Sequence, residues 1–356
     1  MRTISNWLTV AVTALAVTGC LSNRDVSGDD DAGQPTPGVD AGSVDAGPSA
    51  RIDGGPSDAG PVLECHGSAC LPVILVSGQT GPLSIAVDAT SVYWTSFGDG
   101  TVTKMPLEGG AATPLASTGL ASKHPNAIAV DATNVYWTVQ GGATVSKVPK
   151  TGGKATELVP GQNGGQGIAV NATDLYVTLA LAGTVLKVPL DGGTVTEVAG
   201  GQPNPRGIAL DATSVYWVNG GTTSAGGTVM KVALGGGTPT VLASVPSYPW
   251  ALAVDSTNVY WTNYDGTLMM VSVNGGAPTT LAAADREVRA ITVDEMYVYW
   301  ATFHFRHGKV MRMPLGGGIV TVLATDQGLP QGLAVNSANI YWTNGYAGTV
   351  VKLPKP

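Results

Sequence analysis

From about residue 71 onward the apolar positions fall in short runs rich in β-branched and aromatic residues, separated by Gly, Asp and Thr, which is the pattern of strands and turns. One phrase recurs: G-I-A-V-D-A-T-S-V-Y-W-T, a variable stretch, then G-T-V-x-K-V-P-L-x-G-G-T-x-T-x-L-A. It begins at Ile85, Ile128, Ile168, Ile208, Leu252, Ile291 and Leu333, at spacings of 39 to 44 residues. In each unit I-A-V predicts strand A, V-Y-W-T strand B, T-V-x-K-V strand C and T-x-L-A strand D. Asp-Ala-Thr joins A to B. Gly-Gly, as at Gly109-Gly110, Gly192-Gly193 and Gly275-Gly276, supplies positive φ for a tight C–D hairpin.

A unit of this length is one four-stranded blade, and a blade buries both of its faces only when others stack on either side. The expectation is an all-β, seven-bladed β-propeller of four-stranded antiparallel blades. Its ends support the count. The last unit stops after Thr349-Val350-Val351-Lys352-Leu353 and lacks strand D, while Leu71 to Ser77 precedes the first strand A and reads like a strand D. An N-terminal strand should therefore complete the last blade and close the ring.

Ahead of the repeats, residues 1–19 carry Arg2 and an apolar run from Trp7 to Val17, the layout of an export signal too short to span a bilayer permanently. Residues 20–64 form the next segment. From Leu21 to Glu64 the composition turns to Asp, Gly, Ala, Pro and Ser, with Asp-Ala-Gly at residues 31, 40, 45 and 58. Such a stretch buries too little apolar surface to offset chain entropy and reads as a solvated tether. It carries net charge −7, whereas residues 65–356 carry −1. A near-neutral propeller with no basic stripe has nothing to neutralise a phosphate backbone, so no nucleic-acid partner is expected. Cys65 and Cys70, in C-H-G-S-A-C, would form a disulfide in an oxidising compartment; the rival reading is a metal site that also uses His66.

Val17-Thr18-Gly19-Cys20 resembles the lipobox of bacterial lipoproteins. That resemblance implies cleavage before Cys20, diacylglycerol on its thiol and a membrane partner through the lipid; Leu21, where Asp is absent, implies outer-membrane sorting. The Tyr-Trp-Thr residues at 93–95, 136–138, 260–262 and 341–343 resemble the YWTD propeller repeats of low-density lipoprotein receptors, and G-I-A-V-D resembles NHL repeats. The resemblance covers residues 71–356 and implies the propeller fold. Two departures set this chain apart: Ser96, Val139, Asn263 and Asn344 stand where the receptor repeats have Asp, and those receptor propellers have six blades. Virginiamycin B lyase is similar in seven-bladed shape, which implies an enzyme reading by analogy alone.

Residues repeated in every blade have structural readings: Tyr and Trp of strand B as packing between blades, and Lys104, Lys147, Lys187, Lys231, Arg312 and Lys352 as basic stems reaching water or a carbonyl. Asp88, Asp131, Asp211, Asp255 and Asp294, with Asn171 and Asn336, cap the A–B turns, the rival being a central ring of metal-binding carboxylates. No resident cofactor or metal is expected.

Function is sought where the repeat breaks, on the face made by B–C turns and D–A connections. Phe97, His124 and Arg206 fall there. Most exceptions gather on blades 5 and 6: Tyr248 and Trp250 leading into blade 5, Tyr264 and Asp265 in its B–C turn, Arg286 and Arg289 leading into blade 6, and Phe303-His304-Phe305-Arg306-His307 in its hairpin. Exposed aromatics beside Arg offer stacking area and bidentate donors, suited to a glycan, a carboxylate-bearing peptide or a protein partner. The enzyme alternative, a lyase or hydrolase, would use His304 and His307 as base or ligands, which needs a turn between them. No Ser-His-Asp order, phosphate loop or zinc motif is recognisable. A third reading is a structural scaffold of the envelope.

Overall fold

The computed structural model describes residues 71–118, 124–140, 144–160, 164–221, 226–284 and 287–356. Cys20, Cys65, Cys70 and Arg286 lie outside them. The described residues form seven four-stranded antiparallel sheets and no helix. Blade 1 is β2 (Pro82–Val87), β3 (Ser91–Ser96), β4 (Thr101–Pro106) and β5 (Thr113–Ser117), following the expected A, B, C, D order. The last sheet runs β1 (Val73–Val76), β28 (Thr349–Pro354), β27 (Asn339–Asn344), β26 (Pro330–Val335). Val73 pairs with Lys352 and Ile74 with Val351, so the N-terminal strand closes the ring as the repeat count required.

The A strands of the seven blades touch one another in a closed circle, blade 7 meeting blade 1, and so line the axis. The C–D connections differ from the expected tight hairpin. Their paired glycines do take positive φ, 91° and 124° at Gly109 and Gly110, but the connection spans residues 107–112 between β4 and β5.

Packing between blades uses the aromatic pair of strand B. Tyr93 of blade 1 shares an apolar cluster with Trp137 of blade 2, Tyr216 with Trp261, Tyr299 with Trp342, and Tyr341 of blade 7 with Trp94 of blade 1, all at most 3% exposed. The basic residues of strand C are architectural as expected. Lys147 Nζ donates to the Leu190 carbonyl of the next blade at 2.8 Å, Lys231 to Val273 at 2.9 Å, and Lys352 across the closure to Leu107 at 3.0 Å.

The acidic series also caps turns rather than ringing the axis. Asp88 Oδ1 accepts the Thr90 and Ser91 N–H groups at 2.7 and 2.8 Å, and Oδ2 accepts the Tyr93 hydroxyl at 2.9 Å and Lys150 Nζ of blade 2 at 2.6 Å. Tyr136, Tyr216, Tyr260 and Tyr299 donate likewise to Asp131, Asp211, Asp255 and Asp294. Burial pushes the Asp88 carboxyl up, but those four donors together outweigh it and hold the group at about 2.

The Thr of Tyr-Trp-Thr has a role that the sequence reading did not assign. In each blade strand A carries a β-bulge two residues before the anchor Ile or Leu, which disrupts the ladder with strand B. Thr95 Oγ1 accepts the N–H of Ser84 at the bulge of its own blade (3.0 Å) and donates to the Asn126 carbonyl of the next (2.8 Å). Thr343 accepts from Gly332 (2.9 Å) and donates to Leu83 of blade 1 (2.6 Å), so the same relay seals the ring. Thr178 links Gly167 to Arg206 in the same way.

Two outcomes are expected. Thr343→Val strands a buried N–H and a buried carbonyl and should cost about 1–3 kcal/mol in urea unfolding; an unchanged midpoint would remove the relay from the closure. Asp88 lies lower in the folded state than its ordinary 3.8, so its contribution is full above that value and lost as pH falls through about 2. Urea midpoints should therefore drop between about pH 4 and pH 2, and less steeply in Asp88→Asn.

Candidate functional site

A β-bulge adds one residue to a strand and re-aims its side chain. Here the bulge residues are Leu83, Asn126, Gln166, Arg206, Trp250, Arg289 and Gln331, one per blade at the end of strand A that receives the D–A connection. Their flanks repeat, with Pro before in blades 1, 2, 4, 5 and 7 and Ser, Ala or Gly after in all seven, while the bulge residue changes from blade to blade. These positions lie at one end of the strands that ring the axis.

Three consecutive blades bring theirs into contact. The Arg206 guanidinium of blade 4 lies 4.1 Å from the ring centre of Trp250 in blade 5, and that of Arg289 in blade 6 lies 4.6 Å from the same ring. Both cations thus lie within reach of the π-system of one indole, which attracts positive charge. Arg206 also stacks on Tyr248 at 4.9 Å and Arg289 on Phe303 at 3.6 Å, giving a continuous order Tyr248, Arg206, Trp250, Arg289, Phe303. Glu287 pairs with Arg289 Nε, and Asn204 donates an amide N–H to the Tyr248 hydroxyl. Burial pulls the Arg206 guanidinium below its ordinary range, with Tyr248 opposing the shift.

Of the residues expected at this sector, Tyr248, Trp250, Arg289 and Phe303 meet, and Arg206 joins them. Trp250 departs from the expectation of an exposed ring: it is 3% exposed and its faces are covered, so it offers no open stacking surface. Tyr264 stands at the rim, 56% exposed, its N–H bonded to the Tyr248 carbonyl at 2.9 Å. Asp265 is spent within its turn, accepting Thr267 N–H and hydroxyl at 3.0 and 2.6 Å.

The blade-6 hairpin does contain the turn that would bring its histidines together. His304 and His307 rings stack at 5.3 Å, but His304 Nδ1 accepts the His307 N–H at 3.0 Å and so caps the turn, while His307 pairs with Asp326 in the open. Phe305, 57% exposed, packs edge-on against Tyr346 of blade 7, and Arg306 is exposed beside it. Phe97 and His124 stack at 4.0 Å on blades 1 and 2, apart from this cluster. Among the described residues no three His, Cys, Asp or Glu side chains gather as a metal ion would require.

The architecture places the chain among seven-bladed β-propellers. No protein-family model matches it and no curated protein does. Among solved structures it is similar to a streptogramin B lyase, with 13% identity over 81% of this chain and all of that one at TM-score 0.69. It is also similar to U3-55K, with 13% identity over 80% of this chain and 98% of that one at TM-score 0.66. A chain from a nidogen/laminin complex aligns with 19% identity over 68% of this chain and 97% of that one at TM-score 0.56. At these identities the likeness is one of fold, and the resemblance to YWTD and NHL propellers stands at that level.

Trp250→Ala would leave a cavity beside two guanidiniums that have lost a shared ring. It should cost about 3–5 kcal/mol by urea unfolding, more than Trp250→Phe, which keeps a ring in contact with them; equal costs would mean that the ring does not stabilise the cations.

Proposed function

We propose that this protein is a lipid-anchored binding module of the cell envelope, whose B–C and D–A face captures a peptide or protein partner. The carrying observation is the Tyr248–Arg206–Trp250–Arg289–Phe303 stack at one end of the A strands. Two half-buried guanidiniums held by aromatic rings cost desolvation, and the other blades fold without such a stack. Outside this stack the rim exposes Tyr264, Phe305 and Tyr346, large rings on neighbouring blades that suit the periphery of a protein interface. A glycan fits less well, because carbohydrate recognition needs an open aromatic face and Trp250 has none.

Anchoring rests on the lipobox-like Val17-Thr18-Gly19-Cys20 and the acidic segment that follows.

The test is capture of an array of envelope peptides, glycans and proteins by the full chain. A variant with Tyr264, Phe305 and Arg306 changed to Ala should lose about tenfold or more in affinity. Met296→Ala with Ile319→Ala, on the opposite face, should bind like the parent. Loss in the second variant alone would move the function to the A–B and C–D face, and turnover of an array member requiring His304 and His307 would replace binding by catalysis.

A further inference from the structure

The turn of the blade-6 hairpin is capped by a histidine. His304 Nδ1 accepts the N–H groups of Arg306 and His307 at 3.4 and 3.0 Å. The Asp side chains of the A–B turns accept from the second and third residues after them in the same way, as Asp88 does from Thr90 and Ser91. A carboxylate keeps that role far below neutral pH, whereas an imidazole accepts at Nδ1 only while that nitrogen carries no proton, and its ordinary pKa is about 6.5. The other described histidines are arranged the opposite way. His124 places Nδ1 2.7 Å from the Phe97 carbonyl, and His307 places Nδ1 3.0 Å from a carboxylate oxygen of Asp326, so each donates and protonation leaves its bond in place.

What the turn carries gives the cap its consequence. Phe305 at its tip packs edge-on against Tyr346 of blade 7 at 5.7 Å. The His304 carbonyl accepts the Leu329 N–H at 2.9 Å, and the Leu329 carbonyl accepts the N–H of Gly345, next to Tyr346, at 2.9 Å. Leu329 sits at φ 63°, in the left-handed region that a leucine keeps only when its surroundings hold it there. Two exposed rings of the rim and this strained link therefore depend on one turn. The surrounding charges add to the effect of a proton. The His307 ring stacks on that of His304 at 5.3 Å, and Arg306 and Lys309 belong to the same hairpin. Asp326 is engaged by His307, whose bond holds its carboxyl below the ordinary range, and Glu287 is engaged by Arg289. Asp285 and Arg286, on the connection leading into the blade, lie outside the described residues. A proton on His304 puts a second imidazolium against His307 and turns an acceptor into a donor in front of two N–H groups.

We propose that the blade-6 hairpin is a pH-sensitive clasp: with His304 neutral the turn holds Phe305 and Tyr346 in the rim, and with His304 protonated at Nδ1 the turn opens and the rim loses them. This rests on the binding face proposed above and names its regulation. Capture of a partner is full above the titration range of an imidazole and is lost as pH falls through it. The Asp-capped turns keep their shape over that interval, because the Asp88 carboxyl stays ionised down to about 2, so the change is confined to this hairpin.

Amide hydrogen exchange of the full chain at about pH 7.5 and about pH 5, corrected for the intrinsic rate at each, tests the clasp without any partner. Residues 303–308 should lose about tenfold or more in protection at the lower pH, while residues 88–91 of an Asp-capped turn do not. His304→Asn should remove the difference, because Asn keeps an acceptor that takes no proton, as Asn171 does in blade 3 toward Thr173 and Asp174. Equal protection of the parent at the two pH values, or an equal loss in His304→Asn, would overturn the clasp. Capture of the array of envelope peptides, glycans and proteins at the same two pH values tests the regulation. The parent should bind about tenfold more weakly at the lower pH, and His304→Asn should not. Capture indifferent to pH while the hairpin opens would overturn the regulation and leave the binding module standing; capture at neither pH would remove the binding face and the regulation with it.

Discussion

Among the described residues no strand-to-strand ladder joins one blade to the next, so side chains must bridge the gaps round the ring. The bridge repeats in kind. Tyr of one blade packs by Trp of the next, strand-C lysines reach forward to a carbonyl, and the strand-B Thr hydroxyl couples its own bulge to the neighbour's backbone. Because these contacts recur at the closure between blades 7 and 1, the N-terminal strand and the last repeat are under the same constraint as every other pair. That is why the sequence repeats so strictly: each residue of the phrase answers to a neighbour as well as to its own blade.

The constraint also creates a place for variation. Thr satisfies the backbone around the bulge, so the bulge side chain is free of any duty in the ladder. Blade 3 places Gln there, blade 4 Arg, blade 5 Trp and blade 6 Arg, each followed by Gly or Ala. Blades 4 and 6 have Val218 and Ala301 in place of the Thr, and the buried Thr262 hydroxyl of blade 5 has no hydrogen-bond partner, so the relay is missing from the three blades where the cations and the indole meet. Regularity elsewhere holds this irregular arc in register.

The fold was legible because one phrase read seven times gives strand order, blade length and closure together. The Asp caps and strand-C lysines were legible for the same reason, as a residue found in every blade serves every blade. The site was legible only in part. Trp250 and Arg289 stood out as departures in residue type, and Phe303 as a rare residue. Asn126 and Gln166 did not, because an uncharged amide beside a proline or glycine looks like ordinary loop chemistry until the ladder shows the bulge. Arg206 was seen as an exception but not joined to Trp250, since the reading grouped loops by blade rather than by position within strand A. Covering of the Trp250 ring depended on side-chain paths that spacing alone does not give.

Hydrogen–deuterium exchange of the full chain with and without the partner captured from the array tests the central claim, that function sits on the B–C and D–A face of blades 4 to 6. The account predicts added protection confined to residues 205–210, 249–254, 263–267 and 302–308. Protection confined to the A–B and C–D turns, or spread evenly over all seven blades, would contradict it.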